Sequence, residues 1–192
     1  MRMVYTGRFY SGLRTPVPLL RALANLHSRV SLRGVLEVLF IGPHTEEFSR
    51  DAHELGVSGL VRFQGRLPSG DAAAAAAAAD VLLVIDAPSR GPSPFLPSKL
   101  IDYLTLRRPI LGVTPDPGAS ADLLRRLGCP VAKPDDVASI EEALADLVRR
   151  WRDGRLDVGA AFDVVAAEYD ISRTTARLHD VLIDAFEDRR HD

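Results

Sequence analysis

Uninterrupted apolar runs alternate with amphipathic stretches along most of this chain, and that alternation constrains its fold more than any other feature. Residues 35–41 (VLEVLFI) and 81–85 (VLLVI) are apolar at nearly every position, so neither face of the strands they predict is suited to water. Strands buried on both faces belong to a parallel sheet with helices on each side, joined by right-handed crossovers. Shorter strands are predicted at 4–6, 61–63, 109–113 and 130–132. Helices are predicted at 16–26, 46–55, 71–79, 99–106, 119–127 and 139–151, with further helical stretches near 158–168 and 172–187. The eight alanines at 72–79 read as a helix on propensity alone. The expectation is a three-layer α/β/α domain over 1–152 with a parallel sheet of about six strands, followed by C-terminal helices over 153–192. A length of 192 residues suits one such domain, and a hydrophobic share of 46% is enough to fill its core.

Several function classes are set aside by what the chain lacks. A formal net charge of −2 argues against a polyanion partner, so no nucleic acid is expected. Cys129 is the only cysteine, which rules out an intrachain disulfide and a thiolate zinc cluster. The histidines at 27, 44, 53, 179 and 191 are scattered, and no pair has metal-ligand spacing. No G-x-G-x-x-G, Walker or G-x-S-x-G sequence occurs, and no D-x-D pair sits in a suitable loop, so neither a metal nor a bound cofactor is expected. No apolar stretch reaches the length of a membrane span and the first residues form no signal region, so a cytoplasmic location is expected.

Sheets of this kind bind ligands beyond the carboxyl ends of their strands, so the chemistry should follow the strands directly. The segment 89–103 (SRGPSPFLPSKLIDY) is the most informative. Pro97 and Ser98 suit a helix start with Ser98 as the cap, and the free amides there favour an anion that Lys99 would reinforce. Ser98 and Asp102 share a helical face, so a phosphate near Ser98 and Lys99 would place an attached ribose near Asp102. The plainer alternative is that Ser98 only caps and Lys99 pairs with Asp102 or solvent. Lys99 and Lys133 are the only lysines among 24 basic residues, which favours a role that arginine does not fill. In the segment 5–16 (YTGRFYSGLRTP), Gly7 lets a ligand approach the backbone, and Arg8 and Arg14 bracket a flexible loop from which both reach a diphosphate. In 63–68 (FQGRLP), the peptide groups of Gly65, Arg66 and Leu67 can meet a base edge, although such a segment is more often only a turn. Asp86, at the end of the VLLVI run, either touches a ligand or caps a helix.

Taken in order, these segments resemble the C-terminal, donor-binding domain of GT-B glycosyltransferases of the group 1 (GT4-like) family. YTGRFYSGLRTP resembles that family's first strand and basic loop, VRFQGRLP with the following ADVLLVI its base-framing stretch, and PSKLIDYLTLRRPILGV its phosphate- and ribose-binding helix. The resemblance spans about residues 3 to 150. It implies a Rossmann-like domain that forms half of a GT-B architecture and takes a UDP- or GDP-sugar as donor substrate. It implies Gly7, Arg8, Arg14, Arg66, Leu67, Ser98, Lys99 and Asp102 as donor contacts, with Arg8 and Lys99 stabilising the departing diphosphate. It also implies a hexosyltransferase whose acceptor half lies in a separate N-terminal domain, so that this chain alone is expected to be inactive and the full enzyme cytoplasmic or peripheral to a membrane. Three features depart from the pattern: Asp102 replaces the family's usual glutamate, Pro94 stands where many members carry a second one, and Arg14 follows Arg8 by six residues where many members have a lysine five after.

Two other classes share the architecture. A sugar-nucleotide epimerase of GT-B fold needs a His/Glu acid–base set, which is not evident. A non-catalytic, flavodoxin-like interaction module is favoured by the tail, where Leu178, Val181, Leu182, Ala185 and Phe186 form an apolar stripe at helical spacing. The plain expectation is that this stripe packs on its own domain. Otherwise it reaches toward the N-terminal GT-B domain or forms a dimer.

Overall fold

The apolar runs form a six-stranded, wholly parallel sheet in the order β3–β2–β1–β4–β5–β6. The computed structural model describes residues 1–188; His191, one of the scattered histidines, lies outside them. The strands are β1 (Arg2–Thr6), β2 (Glu37–Ile41), β3 (Val61–Gly65), β4 (Val81–Ile85), β5 (Ile110–Val113) and β6 (Val131–Ala132). β4 is buried at every position, as a run without a polar residue requires. This is the Rossmann-like α/β/α arrangement that the alternation predicts.

Each face of the sheet carries its own core. On one face, α1 (Val17–Arg29) and α6 (Val137–Arg152) pack together, with Leu19, Leu23, Ile140 and Leu144 buried beneath them. The short helix α2 (Ser49–Glu54) lies on the same side. The single helix predicted at 46–55 is divided, because its first turn, Glu46–Phe48, tightens into a 3₁₀ turn that seats Phe48 edge-on against Phe9. On the other face lie α3 (Ser69–Ala77), α4 (Ser98–Leu104), α5 (Ala119–Arg126) and α7 (Ala160–Ala166). The alanines of α3 are small enough to let that helix run close to β1, with Ala76 buried.

The C-terminal helices behave differently from each other. Phe162 and Val165 of α7 are buried in the second core. α8 (Ile171–Asp188) touches the domain only near its start, and its apolar stripe faces solvent, with Leu178 59% and Phe186 69% exposed. The expectation that this stripe packs on its own domain is therefore corrected. Helical spacing predicts an apolar face but carries no information about what the face meets. Among the described residues, no helix is long and apolar enough to cross a membrane.

Candidate functional site

β1 and β4 are neighbours in the sheet, yet β1 leads into α1 on one face and β4 into α4 on the other. Their carboxyl ends therefore open a crevice at the point where the strand order reverses, the usual ligand position in such sheets. Gly7 ends β1 there with φ +142°, and its N–H donates to Ile41 O at 2.8 Å. A Cβ on Gly7 would lie 2.5 Å from Lys99 Nζ, and a Cβ on Gly42, where φ is +144°, would lie 2.0 Å from the Gly7 carbonyl oxygen. The space that glycine leaves at residue 7 is thus filled by the Lys99 ammonium, not left open to a ligand as its position after a strand suggests.

The basic loop after β1 folds back on itself as a turn. Tyr10 and Arg14 exchange backbone hydrogen bonds, Tyr10 N to Arg14 O at 2.8 Å and Arg14 N to Tyr10 O at 2.9 Å. The Tyr10 ring holds the guanidinium of Arg14 at 5.0 Å and that of Arg8 at 5.9 Å. Arg8 itself is exposed at the rim, with its carbonyl accepting from the Tyr5 hydroxyl at 3.1 Å. Below the loop, Tyr5 stacks on Phe9 at 4.5 Å between ring centroids, and Lys99 Nζ sits 3.8 Å above the Tyr5 ring.

Arg14, Lys99 and Asp86 converge in this corner. Burial, reinforced by the Arg14 charge, lowers the Lys99 ammonium from 10.5 to about 7, and Asp86 opposes the shift. Burial raises the Asp86 carboxyl, against the pull of the Thr114 hydroxyl, Ser120 and the two cations. Among the described residues, Arg14 Nε, Asp86 Oδ1 and Lys99 Nζ are buried with no hydrogen-bond partner. Native proteins seldom leave buried polar groups unpaired, so three in one corner make it the candidate ligand position. Asp86 caps no helix. Its Oδ2 accepts from Thr114 Oγ1 at 2.8 Å, and the residue lines a cleft of about 430 Å³ with Tyr10, Leu13, Arg14, Ser93 and Phe95.

No family model matches the sequence, and no curated protein matches it. Solved structures do. WaaG, a glycosyltransferase involved in lipopolysaccharide biosynthesis, is 20% identical and superposes with a TM-score of 0.64 over 89% of this chain and 43% of its own. A glycosyltransferase from Rickettsia africae gives 0.71 at 9% identity, over 94% and 47%. Sucrose-phosphate synthase from Thermosynechococcus elongatus gives 0.70 at 14% identity, over 97% and 45%. The fold matches one part of each of these glycosyltransferase structures. The chain spans less than half the length of each of these structures.

α4 divides the site between two clefts. Pro97 is the residue at its cap and Ser98 the first helical one. No side-chain cap bond forms, so Ser98 is not the cap its position suggests. Leu100, Tyr103 and Leu104 face the core, and the Tyr103 hydroxyl meets Thr6 N at 3.0 Å and Thr6 Oγ1 at 2.8 Å, which fixes the helix to the end of β1. Lys99 turns inward toward Gly7. Ser98 and Asp102 are both exposed, and Asp102 borders a second cleft of about 370 Å³ with Thr6, Ser69, Ala72 and Thr105. Among the described residues no ion pair joins Lys99 to Asp102, so the plain pairing alternative fails.

The FQGRLP turn is partly committed to structure. Gly65 N donates to Thr45 Oγ1 at 3.2 Å and Gly65 O accepts from Gly42 N at 2.7 Å, so neither group is open to a base. Arg66 is exposed, and Leu67 packs partly against the second core. The structure thus gathers Gly7, Arg14 and Lys99, places Ser98 and Asp102 together on another face, and leaves Arg8, Arg66 and Leu67 at the rim. Sequence reasoning missed Tyr5, Tyr10, Thr114 and Tyr103. Tyr5 and Tyr103 carry a weak signal in the sequence, a hydroxyl within otherwise apolar runs, whereas Thr114 becomes relevant only once β5 lies beside β4.

Proposed function

We propose that this chain binds the nucleoside diphosphate of a sugar-nucleotide donor, as the donor half of a glycosyltransferase that transfers a hexose to an acceptor. The observation that carries the reading is the convergence at the strand-order reversal of Arg14 Nε and Lys99 Nζ, both buried atoms without a hydrogen-bond partner among the described residues. A diphosphate would satisfy both, and its charge would offset the burial that depresses Lys99. Arg8, over the Tyr10 ring at the rim, would meet the outer phosphate oxygens. Asp102 would accept from the ribose hydroxyls along the second cleft, with Ser98 beside it, and the peptide groups of Arg66 and Leu67 would face the base. UDP and GDP are the expected nucleotides, and cations in place of a metal would stabilise the leaving diphosphate.

The acceptor would be held by an N-terminal GT-B domain. The exposed stripe of α8 is an apolar surface available to that domain or to a second copy. Calorimetric titration of the chain with UDP, GDP and ADP tests the reading. Heat of binding for at least one nucleotide is expected, and no heat or thermal shift at millimolar concentrations of all three would overturn it. Purified chain mixed with a nucleotide sugar and an acceptor should show no transfer.

A further inference from the structure

Asp86 is the member of the buried corner that a diphosphate leaves unexplained. A phosphate group is attracted to Arg14 and Lys99 but repelled by a carboxylate, so the nucleotide by itself gives Asp86 no partner. Asp86 is nevertheless held in a fixed pose. It follows β4 directly, its N–H donates to Val113 O at 2.8 Å, and Thr114 at the end of β5 donates its hydroxyl to Oδ2 at 2.8 Å. The second oxygen, Oδ1, is buried and accepts no hydrogen bond among the described residues, since the nearby Ser120 hydroxyl donates to Phe95 O at 2.9 Å instead. An ionised oxygen buried without a donor is unfavourable, and an oriented one beside a cleft is an acceptor site awaiting its donor.

The cleft beside it defines that donor. Its walls include the aromatic rings of Tyr10 and Phe95, the apolar Leu13 and the hydroxyl of Ser93, with Arg14 and Asp86 as its charged groups. Phe95 and Tyr10 remain about half exposed, so the cleft is open to a group entering from outside. A group attached to the terminal phosphate held by Arg14 and Lys99 would extend into this space. A hexose fits its chemistry, because a pyranose has C–H faces for aromatic rings and hydroxyl edges for a carboxylate.

Building on the donor-binding reading, we infer that Asp86 Oδ1 accepts a hydroxyl of the donor's sugar and so selects neutral sugars over uronates. Thr114 acts as a positioning residue that holds the Asp86 carboxyl in place at the cleft. A uronate would bring a second carboxylate against Asp86 in a buried corner, where like charges disfavour each other strongly.

The test uses the whole chain and matched ligands: UDP, UDP-glucose and UDP-glucuronate, or GDP, GDP-mannose and GDP-mannuronate if guanine is preferred. The unaltered chain should bind the neutral sugar nucleotide at least about tenfold more tightly than the uronate. Asp86→Asn should leave the diphosphate alone bound as well or more tightly, since it removes a negative charge beside two cations. The same change should weaken the neutral sugar nucleotide relative to the diphosphate by severalfold to about tenfold and shrink the penalty on the uronate. Thr114→Val should reduce the neutral-sugar affinity while sparing the diphosphate, a split that a purely structural role would not produce. Equal binding of neutral sugar and uronate by the unaltered chain overturns the inference without any variant, so it remains falsifiable even if Asp86→Asn does not fold. A diphosphate that binds, with Asp86→Asn affecting it and the sugar nucleotide equally, overturns the inference alone. Failure of every diphosphate to bind the unaltered chain overturns the donor reading and this inference with it.

Discussion

Lys99 and Asp102 lie on consecutive turns of the same short helix, yet the fold treats them oppositely. Lys99 turns into a corner closed by Tyr5, Gly7, Arg14 and Asp86, where burial depresses its ammonium and no hydrogen bond compensates. Asp102 faces solvent on the margin of a shallow cleft floored by the alanines of α3. Burial sets the difference in energetic weight: a charge-assisted contact made in a dry corner is worth more than one made where water competes. If both residues meet a nucleotide, the corner should dominate affinity and the open cleft should mainly tune selectivity.

The largest effect should come from the corner. Lys99→Ala removes a charge-assisted contact worth roughly 1.5–3 kcal/mol, so diphosphate affinity should fall more than about tenfold while a nucleoside without phosphates is barely affected. Calorimetry with both ligands checks this. An equal loss for nucleoside and diphosphate would move Lys99 out of the phosphate site.

The next effect is a pH dependence that the open cleft should not show. With Lys99 at about 7 in the empty site, a bound diphosphate restores its proton, so affinity should fall as pH rises above 7, by at most about tenfold per unit. Arg14, Asp86 and Tyr5 face the same ammonium; Asp86 and the Tyr5 ring favour its charge, and Arg14 opposes it. The folding equilibrium should carry the same signature with its own sign. Between 7 and 10.5 the unfolded chain holds the Lys99 proton and the folded chain does not, so stability should rise with pH across that window. Lys99→Met should abolish both slopes, which thermal melts and titrations at several pH values would reveal.

A smaller effect belongs to the open cleft. Asp102→Asn should weaken ribonucleoside diphosphates by severalfold, less than Lys99→Ala does, and leave 2′,3′-dideoxy analogues nearly unchanged. Equal losses for both sugars would remove Asp102 from the ribose site. The smallest effect is Ser98→Ala. Because Ser98 makes no capping bond, the change should alter stability by less than about 0.5 kcal/mol, not the ~1 kcal/mol typical of a lost cap. A larger loss in a denaturant melt would restore its capping role.

Much of the architecture was legible in the residues. The unbroken run 81–85 becomes a strand buried at every position, since nothing in it tolerates water on either side. Gly7, Arg14 and Lys99 were identified as candidates from their positions after strands and at a helix start, and the fold brings them into one corner. The Tyr10–Arg14 turn was not legible, because its hydrogen bonds and the stacking of Arg14 on Tyr10 depend on how the segment closes on itself.

By itself the sequence determined which segments pair with water and which avoid it, and therefore a parallel sheet with helices on both faces. Local periodicity and backbone preference suffice for that, since each is a property of neighbouring residues. Only the tertiary structure decided that Lys99 is buried while Asp102 is exposed, that Asp86 joins Lys99 and Arg14 while Thr114 orients it, and that the stripe of α8 faces solvent. The arrangement of the corner depends on β4 lying beside β1 and β5, contacts between residues far apart in the chain. The burial and the charges that such contacts create exist only once the sheet has closed.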